Sequence, residues 1–152
     1  PEAQAVVPNI VKKVEEYRSR DDAIIFTTDT HYDDYLETSE GKKLPVPHCI
    51  VGTSGYEIIP ELNVELSTME KIYPKSTFGY RWNISYWMYC YDVEIIGVCT
   101  DICVVTNALV LKTYYPDIEI TVDASCCAGT TPEKHKAALE VMKSCQINVI
   151  GE

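Results

Sequence analysis

Residues 93–109 read VEIIGVCTDICVVTNAL. A short apolar run comes first, then Gly97, then a stretch that opens a helix. The pattern predicts a strand over 93–98 and a helix over 101–115. The turn between them carries two thiols, Cys99 and Cys103.

Working outward, strand and helix keep alternating. Towards the C-terminus the pattern predicts a strand over 118–122, a helix over 132–145 and a last strand near 147–150. The second helix opens on Thr131-Pro132-Glu133, where proline takes the first helical position after a threonine cap. Towards the N-terminus, Val7, Ile10, Val11 and Val14 recur at helical spacing and predict an amphipathic helix over 5–19. The apolar run 23–28 then reads as a strand buried on both faces of a parallel sheet. From 29 to about 67, Gly41, Pro45, Pro47, Gly52, Gly55 and Pro60 interrupt any periodicity. This is a long connection with one helical turn near 56–62, and connections of that length usually carry function. A strand over 68–73, closed by Pro74, and an aromatic helix over 80–90 complete the pattern. Alternating strands and helices mean βαβ units, hence an α/β fold with a mainly parallel sheet flanked by helices in three layers.

The chain has 152 residues, about one domain's worth. Hydrophobic residues make up 46% and charged residues 24%, an ordinary globular balance with no run near the ~18 apolar residues of a membrane span. A formal charge of −10 with scattered lysines argues against nucleic acid, which demands a basic patch. The seven cysteines are odd in number, sit in apolar surroundings and follow no secretory leader. They read as reduced thiols of a cytoplasmic protein rather than a disulfide scaffold. A leader could have been removed, since the chain starts at Pro1.

In open α/β sheets, ligands bind beyond the carboxyl ends of the strands. The residues that follow each expected strand are Asp29-Thr30-His31, Pro74-Lys75-Ser76, the turn from Cys99 to Cys103, and Asp123-Ala124-Ser125-Cys126-Cys127. Asp29 and His31 point to the same side of an extended segment, and His48 can return from the loop. One carboxylate and two imidazoles suit Zn²⁺, Mn²⁺ or Fe²⁺. On the residues alone the plainer reading has the better claim: Asp29 caps a turn and the histidines are solvated. Cys103 stands at a helix start, where free N–H groups and the positive end of the dipole favour a thiolate and could receive an oxyanion. The competing reading, a buried thiol acting as a small hydrophobe, has an equal claim. Cys99 reads as packing or pocket-lining, and Cys49, Cys90 and Cys145 as packing. His135 reads as solvated, and Tyr86-Trp87-Met88-Tyr89 as a core or oligomer face.

The segments FTTDTHYDDYLETSEGKKLPVPHC, YPKSTFGY and IIGVCTDICVVTNAL resemble the isochorismatase-like cysteine hydrolases, and within them the nicotinamidase branch. The resemblance implies a Rossmann-like fold and an Asp, Lys, Cys triad. Cys103 is then the nucleophile and Lys75 the triad lysine, with Lys71 a weaker candidate inside its strand. A cis peptide falls on Val98–Cys99, and the N–H groups of Cys99 and Cys103 form the oxyanion hole. The metal set falls on Asp29, His31 and His48, which reverses the plainer reading. The resemblance also implies a divalent metal, zinc first and manganese or iron otherwise, and a small amide such as nicotinamide as substrate; a homo-oligomer is the expected assembly.

One departure stands out. The family's triad aspartate belongs to a V-x-D-x-Q-x-D-F element at the end of its first strand, and no such element occurs in these 152 residues. The expectation is that this strand precedes Pro1, since a central strand cannot be dispensed with without leaving buried backbone groups unpaired. The alternatives are substitution by Asp101 or Asp123, a non-catalytic metal-binding or assembly protein of the same fold, or a thiol redox module.

Overall fold

The structure is a computed structural model that describes residues 2–82 and 92–152. Most of the expected aromatic helix over 80–90, Cys90 and the run 86–89 therefore lie outside the described residues. In chain order the elements are α1 (Glu2–Ala5), α2 (Val7–Ser19), β1 (Ile24–Asp29), α3 (Ser39–Lys43), β2 (Glu70–Lys75), β3 (Val93–Val98), α4 (Val105–Tyr114), β4 (Ile120–Ala128), α5 (Pro132–Ser144) and β5 (Asn148–Ile150). They pack as two compact units, Pro1–Glu16 with Phe78–Glu152, and Tyr17–Thr77.

The first unit holds a parallel sheet of order β3-β4-β5. Val104, Ala108, Leu111 and Tyr115 recur every three or four residues, so one stripe of α4 and its flanks faces the core. They pack with Ile120 and Val122 of β4 and with Leu139 and Met142 of α5. Helix α5 starts as its sequence predicts: the Thr131 side chain accepts a hydrogen bond from the Lys134 N–H, with Pro132 in the first turn.

Strand β4 runs on to Ala128 instead of ending near residue 122. Its pairing with β3 jumps from Ile95↔Val122 to Gly97↔Cys127, so a bulge occupies the middle of the strand. Side chains satisfy the polar groups there. Asp123 Oδ1 accepts from the Ser125 N–H at 3.0 Å, Asn9 Nδ2 of α2 donates to the Ser125 carbonyl at 2.8 Å, and Lys13 Nζ lies 3.0 Å from Asp123 Oδ2 and 2.9 Å from Glu94 Oε1. The bulge explains why the apolar run in the sequence stops before the strand does.

In the second unit β1 and β2 pair in parallel, ending with Thr28↔Pro74 and Asp29↔Lys75. Pro74 thus sits inside the strand rather than closing it. Among the described residues β2 pairs only with β1, and an edge strand tolerates a residue without an N–H. Arg18 forks onto Glu70, with Nε 2.6 Å from Oε1 and Nη2 3.0 Å from Oε2, and its Nη2 also donates to the carbonyls of Leu62 and Asn63. The connection from 29 to 67 is more ordered than its composition predicts. A 3-10 turn at Tyr35–Glu37 leads into α3, and the expected helical turn is a 3-10 turn at Pro60–Leu62.

Candidate metal centre and nucleophile turn

His31 leaves β1 and pairs in parallel with Ile50: its N–H donates to the Cys49 carbonyl at 3.0 Å, and the Val51 N–H donates to the His31 carbonyl at 2.9 Å. That short ladder returns the loop alongside β1 and brings His48 to His31. Asp29, His31, Glu40 and His48 each direct one donor atom into a common space, all within 4.8 Å of one another. His31 Nε2 lies 3.3 Å from Asp29 Oδ2 and 3.9 Å from Glu40 Oε1; His48 Nε2 lies 3.5 Å and 3.7 Å from the same two oxygens.

The donor set fits a divalent cation. His31 is 5% exposed, and its Nε2 is a buried polar atom with no hydrogen-bond partner among the described residues, an arrangement that costs free energy unless something occupies the space it faces. His48 Nδ1 lies 2.9 Å from the Val46 carbonyl. That contact fixes the proton on Nδ1 and leaves the Nε2 lone pair facing the cluster, the outer contact that ligating imidazoles commonly have. Two imidazoles and two carboxylates suit zinc, manganese or iron.

Glu40 was not among the expected ligands. It lies in the first turn of α3, whose cap is Thr38: Oγ1 accepts from the Gly41 N–H at 3.0 Å and donates to the Tyr35 carbonyl at 2.7 Å. The available signal was the Thr38-Ser39-Glu40-Gly41 sequence, a helix start inside what reads as a structureless loop. Tyr35, 1% exposed, sets edge-to-face against both histidines, with centroids 4.8 Å from His31 and 5.1 Å from His48. Its hydroxyl donates to the Leu44 carbonyl at 2.9 Å, and burial, with the nearby charges of Glu40 and Asp29, pushes its pKa up.

Lys75 ends β2 directly opposite Asp29. Its side chain is 3% exposed, with Nζ 3.6 Å from Asp29 Oδ1. Lys71 lies earlier in the same strand and is exposed. Asp29, His31, His48 and Lys75 therefore come together within the second unit.

Cys99 and Cys103 share one turn of the first unit. Gly97 has φ 122° and the Val98–Cys99 peptide is cis, at the position expected. Only glycine adopts that φ without strain. From Thr100 to Val104 the backbone forms a wide helical turn of π type that runs into α4. The N–H groups of Ile102 and Val104 both donate to the Cys99 carbonyl at 3.1 Å. The half-buried Cys103 stands within this turn, and its own carbonyl accepts from Asn107 Nδ2 at 2.9 Å.

The two aspartates that could substitute as bases are engaged elsewhere. Asp101 accepts from the Thr130 N–H at 2.7 Å and hydroxyl at 2.6 Å. Asp123 accepts from Ser125 and pairs with Lys13 inside the β4 bulge. Cys126 and Cys127 belong to β4 rather than to a rim beyond it, and burial pushes the Cys127 thiol up to about 12. Cys145 is exposed, not packed. His135, expected to be solvated, is half-buried and bonded to Thr100.

Among solved structures, the nicotinamidase/pyrazinamidase PncA from Bacillus subtilis superposes with a TM-score of 0.85 at 22% identity, covering 99% of this chain and 86% of that one. The pyrazinamidase/nicotinamidase from Streptococcus mutans gives 0.79 at 26% identity over 98% and 87% of the two chains. The Pyrococcus horikoshii pyrazinamidase in complex with zinc gives 0.77 at 22% identity over 100% and 88%. No curated protein matches the sequence. The isochorismatase domain model, however, matches residues 1–151, and with the parallel sheets and flanking helices described above it shows that the chain belongs to the isochorismatase family of hydrolases.

Proposed function

We propose that this hydrolase is a metal-assisted cysteine amidohydrolase that releases ammonia from a small amide, with nicotinamide, yielding nicotinate, as the substrate to test first. The observation that carries the reading is the Asp29 carboxylate, which faces two imidazoles through one oxygen and the buried Lys75 through the other. A donor cluster built beside a buried lysine suits a nicotinamidase better than an isochorismatase, whose branch generally lacks the metal-binding histidines. The likeness to structures named nicotinamidase and pyrazinamidase supports the same choice.

In this reading the Cys103 thiolate attacks the amide carbonyl carbon, aided by the Lys75 cation and by the helix start. The developing oxyanion is received by the N–H groups of Cys99 and Cys103. The C–N bond then breaks, the nitrogen leaves as ammonia after gaining a proton, and the acyl group remains on Sγ as a thioester. Water cleaves the thioester, giving the carboxylic acid and the free thiol. The proton lost by the Cys103 thiol is the one the leaving nitrogen gains, all within one hydrolase domain; the carboxylates of Asp101 and Asp123 already serve Thr130, Ser125 and Lys13 and are not assigned this transfer. A divalent cation, zinc first, would be held by Asp29, His31, Glu40 and His48, and would supply a positive anchor for a ring nitrogen of the substrate or a water.

The test is ammonia release by the full-length protein from nicotinamide, pyrazinamide and a panel of aliphatic amides, with and without chelator, beside the Cys103→Ala variant. Turnover that survives Cys103→Ala would sink the mechanism. Absence of turnover on every amide, with metal still bound at Asp29, His31 and His48, would favour a non-catalytic metal-binding protein.

A further inference from the structure

The wide turn of residues 100–104 is fastened to the start of α5 by two adjacent side chains. Thr100, 0% exposed, shares a 2.8 Å hydrogen bond between its hydroxyl and His135 Nδ1. Asp101 accepts the N–H and the hydroxyl of Thr130. The two fastenings meet around Gly129, where a Cβ would stand 2.9 Å from Asp101 Oδ1, from His135 Cβ and from His135 N. No side chain fits there without moving one of these groups, so the close approach depends on glycine at this position.

His135 lies in the first turn of α5, with its N–H donating to the Thr131 carbonyl at 2.9 Å. Farther along, α5 is locked into the core by Ala138, Leu139 and Met142, which are 6%, 2% and 0% exposed. A rigid path thus runs from the core through α5 and the imidazole to Thr100, and from Thr100 to the turn that bears Cys99 and Cys103. The Asp101–Thr130 pair holds the neighbouring residue of the turn to the segment just before α5.

We propose that His135 is a positioning residue for Cys103: through Thr100 it sets the orientation of the turn that presents the thiol and the two N–H groups. The proposal rests on the reading of Cys103 as the nucleophile. The imidazole suits the task because it serves a hydroxyl in either tautomer, and the backbone and Cβ of His135 sit close against Gly129. Removing it leaves a fully buried hydroxyl without this bond, and the turn that depends on it loosens.

The experiment compares His135→Ala, His135→Asn, Thr100→Val and Thr100→Ser in the full-length protein. It measures the rate of Cys103 alkylation by iodoacetamide, separated from other cysteines by peptide mass spectrometry, then kcat and KM for ammonia release, and the thermal midpoint. His135→Ala and Thr100→Val should slow alkylation and lower kcat by about tenfold, the order expected for a small misplacement of a reacting group, with KM within about twofold. His135→Asn and Thr100→Ser, which can rebuild the hydrogen bond, should stay within about threefold of the parent. Wild-type alkylation in His135→Ala overturns the proposal, and so does His135→Asn as slow as His135→Ala at an unchanged thermal midpoint. If His135→Ala does not fold, the Thr100→Val and Thr100→Ser pair decides the same point: slow alkylation in the first and parent-like alkylation in the second supports the proposal, and equal rates overturn it. The alkylation comparison needs no substrate, so it stands or falls apart from the amidase reading, which fails separately if Cys103→Ala still releases ammonia.

Discussion

Lys75 Nζ lies 3.6 Å from Asp29 Oδ1, at the last paired position of the β1–β2 ladder, while Asp29 Oδ2 lies 3.3 Å from His31 Nε2 and 3.5 Å from His48 Nε2. One carboxylate therefore faces two places where positive charge can sit, a fixed ammonium and a cation among the imidazoles. In a partly dry site two cations sharing one anion weaken each other's hold on it.

The lysine variant should accordingly separate chemistry from metal binding. Lys75→Met keeps an apolar chain of similar length in a position whose side chain is 3% exposed. Ammonia release should fall by about a hundredfold or more, as for loss of a group that activates a nucleophile. Zinc affinity, measured by competition with a chromophoric chelator, should rise severalfold, because Asp29 is released from a competing cation. A Lys75→Met protein that binds zinc more weakly would show that the lysine orients Asp29 instead of competing for it.

Among the donors, Asp29 should matter most and Glu40 least. Asp29 Oδ2 lies within 3.5 Å of both imidazoles, whereas Glu40 Oε1 lies 3.7 Å and 3.9 Å from them. Asp29→Asn should lower zinc affinity by about a hundredfold or more and Glu40→Gln by about tenfold, the latter comparable to the loss of an outer-shell contact. Equilibrium dialysis of the two variants checks the order. Glu40→Gln binding zinc as tightly as the parent would place Glu40 outside the coordination sphere.

The strand over 93–98 was legible to the residue because its apolar run and the following glycine agree. Helix α5 was legible because threonine, proline and glutamate mark its start. The β4 bulge was not, since Asp123 and Ser125 look like loop residues until α2 supplies Asn9 and Lys13 to bond them. Strand β2 through Pro74 was missed for a related reason: proline signals an end, and it is tolerable here because β2 pairs on one side only among the described residues. In the candidate site, Asp29, His31 and His48 were legible as residue types, and Lys75 through its neighbours in the resemblance. Glu40 and Tyr35 were not, because they stand in short helical turns inside a stretch that reads as a structureless loop, and His135 was not, because its partner Thr100 lies 35 residues away.

Acid should erase the contribution of Asp101. Burial alone would raise its pKa, but the Thr130 hydroxyl and N–H, its own backbone N–H and the Lys134 charge together hold it below the ordinary value. A depressed folded-state pKa gives stability that is present above the unfolded value, about 3.9, and is lost as pH falls through the folded value. Asp101→Asn should thus unfold at lower urea than the parent at pH 7, with the difference shrinking below about pH 4. Urea titrations at several pH values test this, and a gap that stays constant down to about pH 2 would show that the carboxylate charge is not what matters.

Gly41→Ala should damage the candidate metal centre without touching a candidate ligand. A Cβ at this position runs into the Tyr35 carbonyl oxygen and comes within 2.8 Å of Leu36 Cα. These are backbone atoms of the preceding 3-10 turn, and they have no rotamer into which to retreat. The turn or α3 has to shift; the first carries Tyr35, wedged against both histidines, and the second carries Glu40. Overpacking of this kind costs about 1–3 kcal/mol of stability, which thermal unfolding of the apo protein reads directly. The displaced Glu40 and loosened imidazoles should also cost about tenfold in zinc affinity, by analogy with outer-shell losses. The comparison that decides is between the two readouts: a lower thermal midpoint with parent-like zinc binding would mean that Asp29, His31 and His48 hold the cation without help from α3, and that Glu40 is only a neighbour.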